Sequence, residues 1–240
     1  PAAVMLAQQG IPMSSPALPQ GVRFDRDKVA LFGHSQGASH AALMLPFESR
    51  VRAAVLSGIG GHLSTSLRKK EKPVDIGKAL PFALLDYDRN GNLVADYANP
   101  LLAMIQGYFE DADPINYGRL MYREPAPTAK DGHDIFMTYG ELDGFTPEET
   151  QLALAKSASF VAAGQTNVMG LTESPLPLQE NVMVGARQRT VGLRVYNPND
   201  GAIDAPADGH FVVFKTRRGV ADVRRFLEQA LGGKTPQIGE

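Results

Sequence analysis

Five residues, Gly33-His34-Ser35-Gln36-Gly37, set a hydroxyl between two glycines. The flanking runs say what that hydroxyl could do. Val29-Ala30-Leu31-Phe32 before it has the length and composition of a buried strand, and the small-residue stretch Ala38 to Leu45 after it suits a helix ended by Pro46. So sharp a strand-to-helix turn forces the serine into strained backbone angles, and the positions two either side are expected to need glycine to avoid collisions. The turn lifts the Ser35 hydroxyl clear of the sheet edge and brings the amide of Gln36 beside it as an anion donor. The chemistry this geometry serves is acyl transfer, with Ser35 as nucleophile.

A serine hydroxyl attacks only when a base takes its proton, and the base needs an acid to fix its tautomer. In a parallel sheet the loops leaving the C-terminal strand ends share one rim, so the partners should sit just after strands. Asp143 lies four residues beyond the apolar run Ile135 to Tyr139 and is the candidate acid; a plain turn aspartate in Asp143-Gly144 is the alternative. His210, in Asp208-Gly209-His210-Phe211, follows the strand pattern Val191 to Tyr196 and is the candidate base, against a loop histidine. Asp200 and Asp204 are fallback acids in the same loop region. Of the other histidines, His40 belongs to the helix after the turn and His133 precedes a strand, at the wrong end. His34 is expected to point away from the rim position of Ser35. His62 follows the second strand and is the remaining rival as base, read as pocket lining. His34 and His62 are carried as substrate-binding candidates.

The elements that must position these groups alternate. Strands are expected at about 28–32, 52–57, 135–139 and 191–196. Thr146-Pro147-Glu148-Glu149 forms a capping box for a helix running to Ala163, with Gly164 as its stop. A terminal helix carries Val220, Val223, Phe226, Leu227, Ala230 and Leu231 on one face. The fold class is therefore α/β, a mostly parallel sheet with flanking helices, in a single domain over residues 1–240. Residues 2–9 read as the tail of a helix and 11–21 as a proline-rich loop. Two insertions interrupt the alternation, at about 60–130 and 165–188. The first has helical patterns at 76–85 and 100–109, the latter with Asn99 as cap, and reads as a helical lid or cap. Its Leu80, Phe82, Leu84, Leu85, Leu101, Leu102, Ile105, Tyr108 and Phe109 suit an acyl or alkyl group, although such spacing also serves a core.

The order Ser35, Asp143, His210, with the turn and the strand positions, resembles the α/β-hydrolase superfamily, and the pentapeptide is similar to the nucleophile elbows of bacterial lipases and esterases. The resemblance covers about residues 22 to 231. It implies a serine hydrolase that cleaves carboxylic esters through a Ser-His-Asp triad and an acyl-enzyme, with the amide of Gln36 in the oxyanion hole. A peptidase or amidase of the same superfamily, or a noncatalytic domain that keeps the fold, are the alternatives. Members of this type carry about four strands before the elbow strand, whereas 32 residues precede Gly33 here. The chain thus resembles the C-terminal portion of such a domain, its N-terminal strands missing, with the second oxyanion donor expected upstream. A poor catalyst with an exposed sheet edge and low stability is the consequence. The 67 residues from Asp143 to His210 exceed the compact members, which the second insertion accounts for.

Bulk properties bound the partners. With 24 basic and 26 acidic side chains the net charge is −2, and no cationic block marks a nucleic-acid or polybasic membrane footprint. A small-molecule ester or lipid substrate fits, with no nucleic acid. The densest charge run, Arg68-Lys69-Lys70-Glu71-Lys72, reads as a solvated face. The absence of cysteine excludes disulfides and thiolate chemistry, and no run of 18 apolar residues suggests a transmembrane segment. The compartment stays open, with a secreted or envelope location slightly favoured. Asp86 to Leu93 matches the first half of a calcium-binding loop, but Tyr97 stands where a bidentate glutamate is required. No metal and no cofactor are expected.

Overall fold

The computed structural model describes residues 25, 27–84, 90, 99–164, 167–168, 170–204 and 208–240. Six parallel strands form the central sheet: β1 (Val29–His34), β2 (Val51–Ser57), β3 (Asp134–Gly140), β4 (Val161–Ala163), β5 (Glu173–Ser174) and β8 (Val191–Tyr196), in the order β1-β2-β3-β8-β4-β5. A separate antiparallel ribbon joins β6 (Val182–Val184) to β7 (Arg187–Arg189). The helices are α1 (Gln36–Met44), α2 (Leu63–Lys69), α3 (Ile76–Leu84), α4 (Pro100–Phe109), α5 (Glu148–Ala158), α6 (Val212–Lys215) and α7 (Arg217–Leu231).

Parallel strands covered on both faces should be apolar throughout rather than alternating, and β3 is buried along its whole length. Side chains then sort by parity between two cores. Ala54, Leu56, Ile135, Met137 and Leu193 pack with Ala38, Ala42, Leu154 and Ala158 of α1 and α5. Ala53, Val55, Phe136 and Tyr196 pack on the opposite face with Val212, Val223 and Phe226 of α6 and α7. The result is a three-layer sandwich, and the rings of Phe136 and Phe226 meet at 5.4 Å between sheet and terminal helix. Small residues in α1 let that helix lie close to the sheet, which keeps the chain tight after Ser35.

Between β2 and β3 the chain makes an excursion carrying α2, α3 and α4. Leu80 and Leu102 form a small core of their own there, with Ile76 and Ile105 against it. Asn99 caps α4 as its sequence suggests, its side-chain oxygen accepting from the amides of Leu101 and Leu102 at 2.9 and 3.2 Å. The buried Asp113 carboxylate ties the excursion together, accepting from the amides of His62, Leu63 and Ile115 and from the Gln106 side chain.

Several boundaries depart from the sequence reading. The helix expected to open at Thr146 and reach Ala163 begins at Glu148, with Pro147 at φ −52° and ψ 141° as its cap, and ends at Ala158. Ser159, at φ 55°, turns the chain in a left-handed conformation, and Val161 to Ala163 then pair with β8 and β5 as a strand. Where the chain straightens, Phe160 and Ala162 are sunk in the core. The insertion expected at 165–188 contains β5, β6 and part of β7. The calcium-loop pattern at 86–97 lies outside the described residues apart from Asn90, as do the expected helix tail at 2–9 and loop at 11–21. Among the described residues no helix is long and apolar enough to cross a membrane.

Candidate active site

Ser35 stands between β1 and α1 with φ 55° and ψ −126°, a conformation costly for a residue with a Cβ. The surroundings hold it there. Its amide donates to the Ser57 carbonyl of the neighbouring strand at 2.8 Å, and its own carbonyl accepts from Ala38 and Ser39 at 2.9 and 3.2 Å. The two motif glycines are not equivalent. A Cβ at Gly33 would fall 2.7 Å from the Cα of Ala38 and 2.9 Å from the Gly37 carbonyl, whereas a Cβ at Gly37 would meet nothing within 4 Å. The expected need for glycine at 37 is thus overturned: that position lies on the open side of α1. The amide of Gln36 is the first of the helix, so it has no intrahelical acceptor and stays available next to the Ser35 side chain.

Asp143 and His210 come from two loops on the same rim. The Nδ1 of His210 and the Oδ2 of Asp143 are 3.0 Å apart, both side chains almost wholly removed from water. The other oxygen, Oδ1, accepts from the amides of Phe145 and Thr146 at 2.9 and 2.7 Å. Three donors fix the carboxylate's orientation, and the Nδ1–H it holds leaves Nε2 of the imidazole as the basic nitrogen. No hydrogen bond joins the Ser35 hydroxyl to His210 among the described residues. Such contacts are commonly long without substrate and tighten when one binds.

The imidazole is boxed in. Phe145 stacks on it at 4.8 Å, Phe211 meets it edge-on at 5.1 Å, and the ring of His34 lies 4.7 Å away. At Gly58, just beyond β2, a Cβ would come within 2.7 Å of His210 Cε1 and 2.8 Å of Nδ1. The Thr146 hydroxyl, 3.4 Å from Nδ1, donates to the Gly58 carbonyl at 2.9 Å and so joins the acid loop to the end of β2.

The expectation that His34 points away from the rim position of Ser35 is therefore corrected: its ring lies against His210. Strand residues two apart share a face, and both Phe32 and His34 of β1 reach Phe214 of α6, at 5.7 and 4.9 Å. That is the face over which the His210 loop passes. The Nδ1 of His34 is 3.1 Å from the buried Ser57 hydroxyl. Burial, reinforced by the neighbouring His210 and opposed by Asp143, lowers its pKa to about 4, so its ring stays neutral at neutral pH.

His62 heads α2 with φ 67°; its amide donates to Asp113, and its ring Nδ1 is 2.8 Å from the Thr65 hydroxyl of its own helix. His133 is buried at the opposite end of the sheet, its ring nitrogens 2.8 Å from the carbonyls of Val51 and Leu45. His40 is exposed on α1. The fallback acid Asp204 pairs with Lys215 at 2.6 Å, and Asp200 closes a turn by donating its amide to Asn197. Gly58, Phe145 and Thr146 surround the imidazole without belonging to any motif; the sequence signal for each is that it follows a strand.

No protein-family model matches the chain, and no curated protein does. Among solved structures it is similar to acetyl xylan esterase 1 from Thermoanaerobacterium sp. JW/SL YS485, at 15% identity with a TM-score of 0.46, over 90% of this chain and 49% of that one. It is similar to the acylaminoacyl peptidase of Pyrococcus horikoshii, at 14% identity and a TM-score of 0.47, over 90% and 26%. A soluble variant of monoglyceride lipase from Saccharomyces cerevisiae is similar at 13% identity and a TM-score of 0.38, over 93% and 75%. The chain spans about half of the first of these and a quarter of the second.

Proposed function

We propose that this chain is a serine hydrolase of the α/β-hydrolase type acting on carboxylic esters through Ser35, His210 and Asp143. The observation that carries the reading is the buried Asp143–His210 hydrogen bond of 3.0 Å, on the same sheet rim as a serine held at positive φ. In this reading His210 Nε2 takes the proton of the Ser35 hydroxyl as its oxygen adds to the ester carbonyl, and the amide of Gln36 receives the oxyanion. Collapse of the tetrahedral intermediate expels the alkoxide, which takes the proton back from His210 and leaves an acyl-serine. Water, deprotonated by the same nitrogen, then releases the acid and restores Ser35. Asp143 holds the tautomer and balances the imidazolium in a site too dry to solvate it.

The excursion between β2 and β3 serves in this account as a cap over the rim. Leu101, Met104 and Tyr108 on α4 are exposed apolar surface of that excursion, and the substrate proposed is a small-molecule ester with an apolar acyl or alkyl part. Hydrolysis of p-nitrophenyl esters of increasing acyl length, against peptide anilides, tests the reading. Ester turnover that disappears in Ser35→Ala is expected; anilide turnover without ester turnover would make the chain an amidase, and neither would remove the proposal.

A further inference from the structure

The basic run Arg68 to Lys72, which reads from sequence as a solvated face, is seated on the elements that carry the acid and the base. Lys69 Nζ lies 3.2 Å from Glu149 Oε1, in the first turn of α5, six residues after Asp143. The amides of Glu71 and Lys72 both donate to the carbonyl of Gly144, next to Asp143, at 3.0 and 2.8 Å. Lys72 Nζ then reaches Asp208 Oδ2 at 2.7 Å. The other oxygen of Asp208 accepts from the amide of His210 at 2.9 Å and from that of Gly144 at 3.4 Å. One carboxylate, 12% exposed, thus gathers three segments distant in sequence: the excursion, the acid loop and the base loop.

We propose that Lys69 and Lys72 form an electrostatic clasp through which the β2–β3 excursion sets the posture of the His210 loop, with Lys72 and Asp208 as positioning residues. The role of the clasp in catalysis rests on the hydrolase reading above. His210 is held on its side-chain side by Asp143 and on its backbone side by Asp208. With Lys72 gone, Asp208 loses its partner from the excursion and can rotate toward water, which frees the amides of Gly144 and His210. Both lysines are about half exposed, so the clasp is open to screening by salt, and each such pair is worth at most a factor of about five in an equilibrium.

The experiment is the rate of fluorophosphonate labelling of the full chain, at low ionic strength and in roughly 0.5 M sodium chloride, where screening is strong. Lys69→Met/Lys72→Met is expected to label about two- to tenfold more slowly than the parent at low salt, with a urea midpoint lowered by no more than the worth of the two pairs and no further loss in salt. The parent in high salt should fall toward the double variant, and Lys72→Arg should keep the parent's rate. A double variant that labels at the parent rate overturns the clasp. If the parent itself does not label, the hydrolase reading fails, and the clasp is then judged by hydrogen exchange. Faster exchange of the Gly144 and His210 amides in the double variant supports it, and unchanged exchange overturns it.

Discussion

Replacing Gly58 by alanine should cripple the site while leaving the fold standing. The added Cβ would sit 2.7 Å from His210 Cε1 and 3.3 Å from His34 Cε1. An ordinary carbon contact is about 3.5 Å, so the imidazole must retreat by roughly 0.8 Å. It cannot slide sideways, because Phe145 stacks on it and Phe211 blocks its edge. The retreat therefore strains the 3.0 Å bond to Asp143 or moves the imidazole from its present place on the rim. A misplacement of this size at a reacting group costs about 10²-fold in rate. Alanine at φ +57° adds about 1–2 kcal/mol of instability. The fluorophosphonate labelling rate of Gly58→Ala should thus fall about 100-fold, while a urea titration still shows one cooperative transition at a lower midpoint. Labelling within threefold of the parent would refute the placement of His210 against Gly58.

Gly37→Ala, by contrast, should label at the parent rate and raise stability by about 0.5–1 kcal/mol, because alanine is the better helix former and its Cβ meets nothing; urea midpoints check this. Asp143→Asn should slow labelling by about 10³- to 10⁴-fold, since an amide that donates to Nδ1 selects the wrong tautomer. His34 titrates near 4 in the fold against 6.5 in its absence, so the unfolded chain binds the proton first and stability is lost as pH falls from 6.5 toward 4. Allowing for the part of the ring that water reaches, the loss is about 1–2 kcal/mol. His34→Phe should therefore lose less stability than the parent between pH 7 and pH 4 in urea titrations.

The sequence was most legible where a strand ends. Val29 to Phe32, Ile135 to Tyr139 and Val191 to Tyr196 are apolar runs long enough to be buried strands, and the polar residues just after them fall on one rim by topology alone. Asp143 and His210 were candidates for that reason, and Ser35 for the two glycines around it. The strand Val161–Ala163 was not legible because Val-Ala-Ala continues the small-residue pattern of the preceding helix, and Ser159, which turns the chain, is not a glycine. The direction of His34 depends on which sheet face the His210 loop crosses, and nothing local encodes that. Gly58 lies in Ser57-Gly58-Ile59-Gly60-Gly61, where the sequence does not mark which glycine meets the base. Lys72 and Asp208 are 136 positions apart, and a charge run on the page looks the same whether it faces water or a partner.

Whether Ser35 is the nucleophile is read from the site of covalent capture by a fluorophosphonate, located by fragmentation of the tryptic peptide Val29 to Arg50. One adduct is expected, on Ser35 rather than Ser39 or Ser49, formed by the parent and lost in His210→Ala. An unlabelled Ser35 in the folded chain, or an adduct that forms equally fast without His210, would contradict it.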